Sequence, residues 1–353
     1  MSIEQRKLDH VRYALELPVT RNTGFSDLSF VHRALPECDL ADVSLATEIG
    51  GLTFSSPILI NAMTGGADQT ERINRDLAAL AQRTGLAMAV GSQRAALKDE
   101  RLVRTYAIVR ELNPDGIVIG NLGAGASVKD AQRAVDMIGA DLMHLHLNVA
   151  QELTMPEGDR SFQGIAQQIR EVVEGLSVPV IVKEVGNGMA AETYEQLAEL
   201  GVPVVDVAGR GGTNFVSIEN QRRSGLHFQD LEGWGQTTAV SLLEAQPYLN
   251  RYDLIGSGGV QNALDAAKCL ALGARAVGVA GAILRPLMEH GLEAAVELVE
   301  HWHAELRAVL TLQGCARVTD LAQRPLIVRG ETAEWCRLRG IDIESVARRG
   351  LSR

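Results

Sequence analysis

From Pro57 onward, short apolar runs alternate with amphipathic stretches. Eight runs read as strands, at residues 58–63, 87–92, 116–121, 141–147, 179–185, 203–208, 253–260 and 274–282. Between them a helical period marks 71–84, 102–112, 128–138, 162–176, 190–200 and 238–246. Strands this uniformly apolar are buried on both faces, which suits a parallel sheet wrapped by helices. Eight βα units predict an α/β fold, a single (β/α)8 TIM barrel, with an open doubly wound sheet as the alternative. Residues 1–57 stand outside the repeat as an N-terminal extension, and within it 42–54 alternates and turns like a hairpin that caps the closed end of the barrel. After Arg285 one long helical stretch, 286–312, leads into a C-terminal helical tail, so the chain divides into the extension over 1–57 and the barrel with its tail over 58–353.

The last two strands end without side chains. The run Asp253-Leu254-Ile255-Gly256-Ser257-Gly258-Gly259-Val260 and the run Ala274-Arg275-Ala276-Val277-Gly278-Val279-Ala280-Gly281-Ala282 each pass directly into a helical pattern. Such turns leave backbone N–H groups pointing outward where a helix dipole adds partial positive charge, so a phosphate is the natural occupant. Close packing of helix on strand is the other reason for glycine there. In an eight-stranded barrel the last two strands are where a phosphate site most often lies.

Composition narrows the partners. With 46% hydrophobic and 22% charged residues the chain can bury a large core, and no segment is compositionally disordered. A net charge of −10 argues against a broad nucleic-acid or anionic-membrane surface, so any anion site must be local. Cys38, Cys269, Cys315 and Cys336 are scattered with no Cys-x-x-Cys pair, as expected of reduced thiols in a cytoplasmic protein. No stretch approaches the roughly 18 apolar residues of a membrane span. The segment Met1–His10 lacks the apolar core of a signal peptide.

Chemistry in this fold gathers at the C-terminal ends of the strands. There the sequence places Ala62-Met63-Thr64-Gly65-Gly66, Gly91-Ser92-Gln93-Arg94, Asn121, His146 and Asn148 with Gln151-Glu152, Lys183-Glu184, and Gly209-Arg210-Gly211-Gly212-Thr213. A structural barrel has no reason to deliver an amide, hydroxyl or cation to one end of nearly every strand. Lys183 in an apolar strand reads as a Schiff-base amine, as a cation beside an electron-rich cofactor edge, or as half of a salt bridge to Glu184 or Asp206. His144 and His146 share one side of their strand, as a metal pair or as hydrogen-bonded core histidines. Glu152 reads as a metal ligand or a surface carboxylate. On a helix Arg6, Lys7 and His10 present three donors to one region, an anion clamp or a solvated basic patch. The loop 209–236 is long for a βα connection, as lids and binding loops are. A flat conjugated cofactor with a phosphate matches these parts. Flavin mononucleotide (FMN) has that shape, whereas pyridoxal phosphate would not need so many ring-edge amides.

In order along nearly the whole chain, Arg6-Lys7-x-x-His10, Met63-Thr64-Gly65-Gly66, Gly91-Ser92-Gln93-Arg94, Asn148-x-x-Gln151-Glu152, Lys183-Glu184-Val185-Gly186, Gly209-Arg210-Gly211-Gly212-Thr213-Asn214-Phe215, Trp234-Gly235 and Ser257-Gly258-Gly259 resemble the type 2 isopentenyl-diphosphate isomerases. The resemblance implies FMN contacts at Ala62, Met63, Thr64, Ser92, Asn121, Lys183 and Thr213, with its phosphate at Ser257, Gly258, Gly259, Ala280 and Gly281. It implies isopentenyl diphosphate held by Arg6, Lys7, His10, Ser92, Arg94, Asn148 and Gln151, with Mg²⁺ placed by Glu152. Lys183, Gln151 and His146 are the candidate catalytic side chains. NADPH or NADH would serve only to reduce the flavin, and a homo-oligomer, tetramer or octamer, is expected. Ala208 and Gln261 depart from the family pattern, where a serine and an arginine are common. Moving a double bond between allylic positions needs an acid, a base and a dry electron-rich wall. No carboxylic acid pair is visible at the strand ends, so reduced flavin itself is the expected proton exchanger. A flavin-dependent 2-hydroxy-acid oxidase and a catalytically silent flavin- or phosphate-binding protein are the rival readings.

Overall fold

A computed structural model describes residues 3–18 and 22–351. Met1 and Ser2, which open the expected extension, Val19–Arg21 within it, and Ser352–Arg353 at the end of the tail lie outside the described residues. All eight expected strands form and close in the order of the chain into one parallel barrel: Ile58–Ile60, Ala87–Ala89, Val118–Gly123, Leu142–Leu147, Val180–Glu184, Val204–Asp206, Asp253–Ser257 and Ala276–Val279. Closure is made by the eighth strand pairing in parallel with the first, Gly278 against Leu59.

The six helices expected from periodicity are present, with their ends set by local chemistry. Ser127, Thr237 and Asn262 each accept a backbone N–H of the following first turn through a side-chain oxygen. The expected continuous helix over 286–312 is instead two. Gly281–His290 and Leu292–Leu312 are separated by Gly291 at φ 85°, a conformation that ends a right-handed helix.

Side chains alternate across each barrel strand with period two, and the inward set comes in layers. The lowest is apolar: Leu59, Ala87, Ile119, Leu142, Ile181, Val204, Ile255 and Ala276 cluster with Ile49 and Phe54. Ile49 and Phe54 belong to the expected hairpin, Thr47–Ile49 paired antiparallel with Leu52–Phe54, which seals the bottom of the barrel. Fully burying each of these two is worth about 1.5–3 kcal/mol. The Gly50 N–H donates to Asp253 Oδ2 at 2.8 Å, fixing the hairpin turn to the start of the seventh strand. Two residues further along, six of the eight strands turn polar, with Asn61, Asn121, His144, Lys183, Asp206 and Ser257, while the second and eighth carry Ala89 and Gly278 there.

The extension and the tail meet on the outside of the barrel, where Leu28–Phe30 pairs antiparallel with Leu326–Val328. The tail helix Gly330–Arg339 is pinned by Trp335 Nε1 and Arg339 Nε, both donating to the buried Glu244 carboxylate. No described helix is long and apolar enough to cross a membrane.

Candidate active site

One cavity of about 1700 Å³ opens at the C-terminal mouth of the barrel, and every site residue expected from the sequence lines it except Thr64. The strand ends supply Ala62, Met63, Ser92, Asn121, His146, Lys183 and Thr213. The last two strands supply Ser257, Gly258, Gly259, Ala280 and Gly281, the N-terminal helix Arg6, Lys7 and His10, and the second and fourth strand ends Arg94, Asn148, Gln151 and Glu152. Thr64 sits behind this wall. Its carbonyl accepts from Gly91 N at 2.7 Å, while its hydroxyl is buried with no hydrogen-bond partner among the described residues. Ala208 and Gln261 also line the cavity.

The glycine-rich end is shaped by close approach of backbones. A Cβ on Gly258 would lie 2.1 Å from the Gly209 carbonyl oxygen, so no side chain fits there. Thr238 Oγ1 donates to the Gly258 carbonyl at 2.6 Å and holds the turn. At Gly281, the first residue of its helix, an added Cβ would meet no protein atom within 4 Å, which leaves room for a ligand at the helix N-terminus. Among the described residues the N–H groups of Gly258, Gly259 and Ala280 have no protein acceptor. Unpartnered donors facing a helix dipole suit a phosphate, and the cradle therefore has what the phosphate of FMN would require. Ser257 contributes differently from expectation: its hydroxyl turns inward and bonds the Asp206 carboxylate, leaving the cradle to backbone groups.

Lys183 is only 6% exposed, and its ammonium donates to the Glu184 carbonyl oxygen at 2.6 Å rather than to either carboxylate considered from sequence. The Glu184 carboxylate instead accepts the N–H groups of Val185, Gly186 and Asn187, at 2.7, 2.9 and 2.6 Å, and shapes the turn after the fifth strand. Burial pushes the Glu184 carboxyl up to about 7.

Asn121 Nδ2 donates to the Val90 carbonyl at 3.1 Å, which directs its Oδ1 toward His146 Nδ1 at 2.9 Å. That acceptor places the imidazole proton on Nδ1. Burial, and then the nearby Lys183 charge, lower the His146 pKa to about 3. His146 is therefore neutral, a hydrogen-bond acceptor through Nε2 and not a proton donor. His144, one layer below, is fully buried with neither ring nitrogen partnered, and no group of three metal-ligating side chains exists among the described residues.

The extension supplies the cationic face. Helix Ile3–Glu16 lies against helix Phe215–Arg222, the ordered part of the long loop after the sixth strand, which Asn214 caps. Lys7 Nζ donates to the Ser92 carbonyl at 3.2 Å, and His10 Nε2 to Glu219 Oε1 at 2.8 Å. Glu219 was missed in the sequence because nothing in its spacing marks it. It is 0% exposed, it accepts from Gln151 Nε2 at 3.4 Å, and it pairs with Arg222. The strand ends thus have a carboxylate behind them that sequence reading did not find. Glu152 accepts from Asn148 Nδ2 at 2.9 Å and from Asp159 N at 2.8 Å, which holds one carboxylate at the cavity edge. Mg²⁺ is commonly held by one or two carboxylates together with substrate phosphates, so a single positioned glutamate is compatible with it.

Comparison with known proteins agrees with this geometry. Residues 126–328 match the FMN-dependent dehydrogenase family. The chain is 48% identical over 343 residues to an isopentenyl-diphosphate delta-isomerase of Geobacillus sp. (strain WCH70), covering 97% of this chain and 98% of the relative. It is 50% identical over 343 residues, with the same coverage, to one from Bacillus cytotoxicus. Among solved structures, a flavocytochrome b2 variant with pyruvate bound shares the fold at a TM-score of 0.67, with 18% identity over 97% of this chain and 85% of that one.

Proposed function

Since this chain belongs to the isopentenyl-diphosphate delta-isomerase family, we propose that it interconverts isopentenyl and dimethylallyl diphosphates as an FMN-dependent isomerase. What supports the reading is one cavity lined both by the glycine turns of the last two strands and by Arg6, Lys7 and His10 of the N-terminal helix. The glycine turns suit a cofactor phosphate, and the basic residues of the helix suit a substrate diphosphate.

Bound and reduced, FMN supplies an electron-rich surface that exchanges protons. The protein's part is to hold and to orient. Lys183, in the inward layer, would stabilise negative charge on a bound flavin ring. Ala62, Met63, Thr64, Ser92, Asn121 and Thr213 position that ring, Thr64 from behind the wall. Arg6, Lys7, His10, Arg94 and Asn148 hold the diphosphate, with Mg²⁺ placed by Glu152. Gln151, fastened to Glu219, orients the hydrocarbon. Neutral His146 accepts a hydrogen bond at the cavity floor. The reaction has no net redox change, so NADPH or NADH is needed only to reduce the flavin. We further propose cytoplasmic location and a homo-oligomer, tetramer or octamer.

The test is an anaerobic isomerisation assay with FMN, dithionite and Mg²⁺. Conversion of isopentenyl diphosphate that disappears with 5-deaza-FMN supports the reading. Full activity with 5-deaza-FMN rejects the flavin as proton exchanger, and turnover of lactate or glycolate instead would make the protein a hydroxy-acid oxidase.

A further inference from the structure

Asp206 is a 0% exposed carboxylate at the end of the sixth strand, and nothing in the mechanism above uses it. A buried carboxylate is costly unless its oxygens are satisfied, and its partners here are informative. Oδ2 accepts from Asn61 Nδ2 at 2.8 Å, while Oδ1 accepts from the Ser257 hydroxyl and from Ala208 N at 3.2 Å.

Each donor sits at the root of a segment lining the cofactor end of the cavity. Asn61 precedes Ala62 and Met63 and also accepts Ala62 N at 2.8 Å through Oδ1. Ser257 precedes Gly258 and Gly259. Ala208 begins the turn to Gly209–Thr213 and is held at φ 34°, a conformation rare outside glycine that must be fastened to persist.

The reach of Asn61 is long. Its amide crosses the eighth strand, where Gly278 has no side chain: a Cβ there would fall 2.4 Å from Asn61 Nδ2. The first, sixth, seventh and eighth strands are thus spanned beneath the mouth by one hydrogen-bonded set, three of whose strand ends are joined at a single carboxylate.

We propose that Asp206 is the positioning residue of the cofactor cradle, the group that holds three separate strand ends in one arrangement able to take a flavin phosphate and ring. The inference rests on the reading of this cavity as an FMN site.

The test uses the full chain stripped of flavin, titrated with FMN and followed by quenching of flavin fluorescence, with circular dichroism of each apoprotein as the measure of folding. Asp206→Asn turns an acceptor of Asn61 into a second amide donor and is expected to weaken FMN binding at least about tenfold, the loss of one charge-assisted hydrogen bond. The exchange Asn61→Asp with Asp206→Asn reverses donor and acceptor between these two residues alone, leaves an oxygen at 206 for Ser257 and Ala208 N and one at 61 for Ala62 N, and is expected to restore affinity to within about threefold. Destabilisation without a positioning role would not be repaired by the exchange. Unchanged affinity in Asp206→Asn, or a loss the exchange fails to repair, overturns the proposal. If Asp206→Asn does not fold, Ser257→Ala decides, since it removes one donor and leaves the carboxylate: a loss of affinity of at least about threefold supports the proposal and a smaller one overturns it. Wild-type protein that binds FMN without isomerising would sink the functional reading alone, and wild-type protein that never binds FMN would sink both.

Discussion

Lys7 reaches from the N-terminal helix to the carbonyl oxygen of Ser92 at the end of the second strand, a separation of 3.2 Å between residues 85 apart in sequence. That contact brings an ammonium from outside the barrel to its mouth. Burial, and then the Arg6 charge, lower the Lys7 pKa to about 8. Below that pH the group is a cation and attracts a diphosphate; above it the attraction is lost. KM for isopentenyl diphosphate is therefore expected to rise as pH increases through about 8, and Lys7→Ala to raise it roughly 10- to 100-fold at pH 7. A KM that is flat from pH 7 to 9.5 in the wild type would contradict the role.

Glu219 bonds His10, Gln151 and an Arg222 side chain that is itself only 2% exposed. Removing the carboxylate takes from a buried guanidinium the partner on its own helix, leaving Glu157 at 2.7 Å and Asp9 at 3.9 Å among its neighbours. Glu219→Ala should lower unfolding free energy in urea by about 3–5 kcal/mol. Glu219→Gln, which keeps an acceptor for His10, should cost less. A loss under about 1 kcal/mol for the alanine variant would mean the cluster is not the anchor described.

Gly278 is needed for what passes over it. An added methyl would displace the Asn61 amide, so Gly278→Ala is expected to destabilise the apoprotein by about 1–3 kcal/mol. It should also release FMN during gel filtration. A variant that keeps its flavin and its melting temperature would show that the space is not required.

At the cavity edge, Glu152→Gln retains an oxygen for the Asp159 N–H but loses the charge. The Mg²⁺ concentration for half-maximal activity is expected to rise about tenfold or more, with the spectrum of bound flavin unchanged. An unaltered metal requirement would remove Glu152 as the metal's holder.

His146 should stay neutral with its proton on Nδ1. Nitrogen-15 chemical shifts of its ring in the apoprotein are expected to be constant from pH 9 down to pH 5, because its pKa is lowered to about 3. A titration near pH 6 would instead allow the side chain to donate a proton at working pH.

The chain's own pattern was enough for the barrel and for most of the cavity wall. Apolar strand runs and helical periods are local, and parallel closure puts the residues following every strand at the same end, so strand direction alone brings Ser92, Asn121, His146 and Lys183 together. Glycines at the last two turns likewise announce a bare backbone wherever the chain goes. Contacts between distant segments carry no such mark. The break at Gly291 lay inside a pattern that reads as one helix. The inward turn of Ser257, the position of Thr64 behind the wall, the joining of Asn61 to Asp206 across 145 residues and of His10 to Glu219 across 209 were decided only by packing. Sequence determined which groups arrive at the mouth, because that follows from strand direction. Tertiary structure decided which of them are held from beneath and by what, because a hydrogen bond depends on distances of a few tenths of an ångström that only the closed barrel sets.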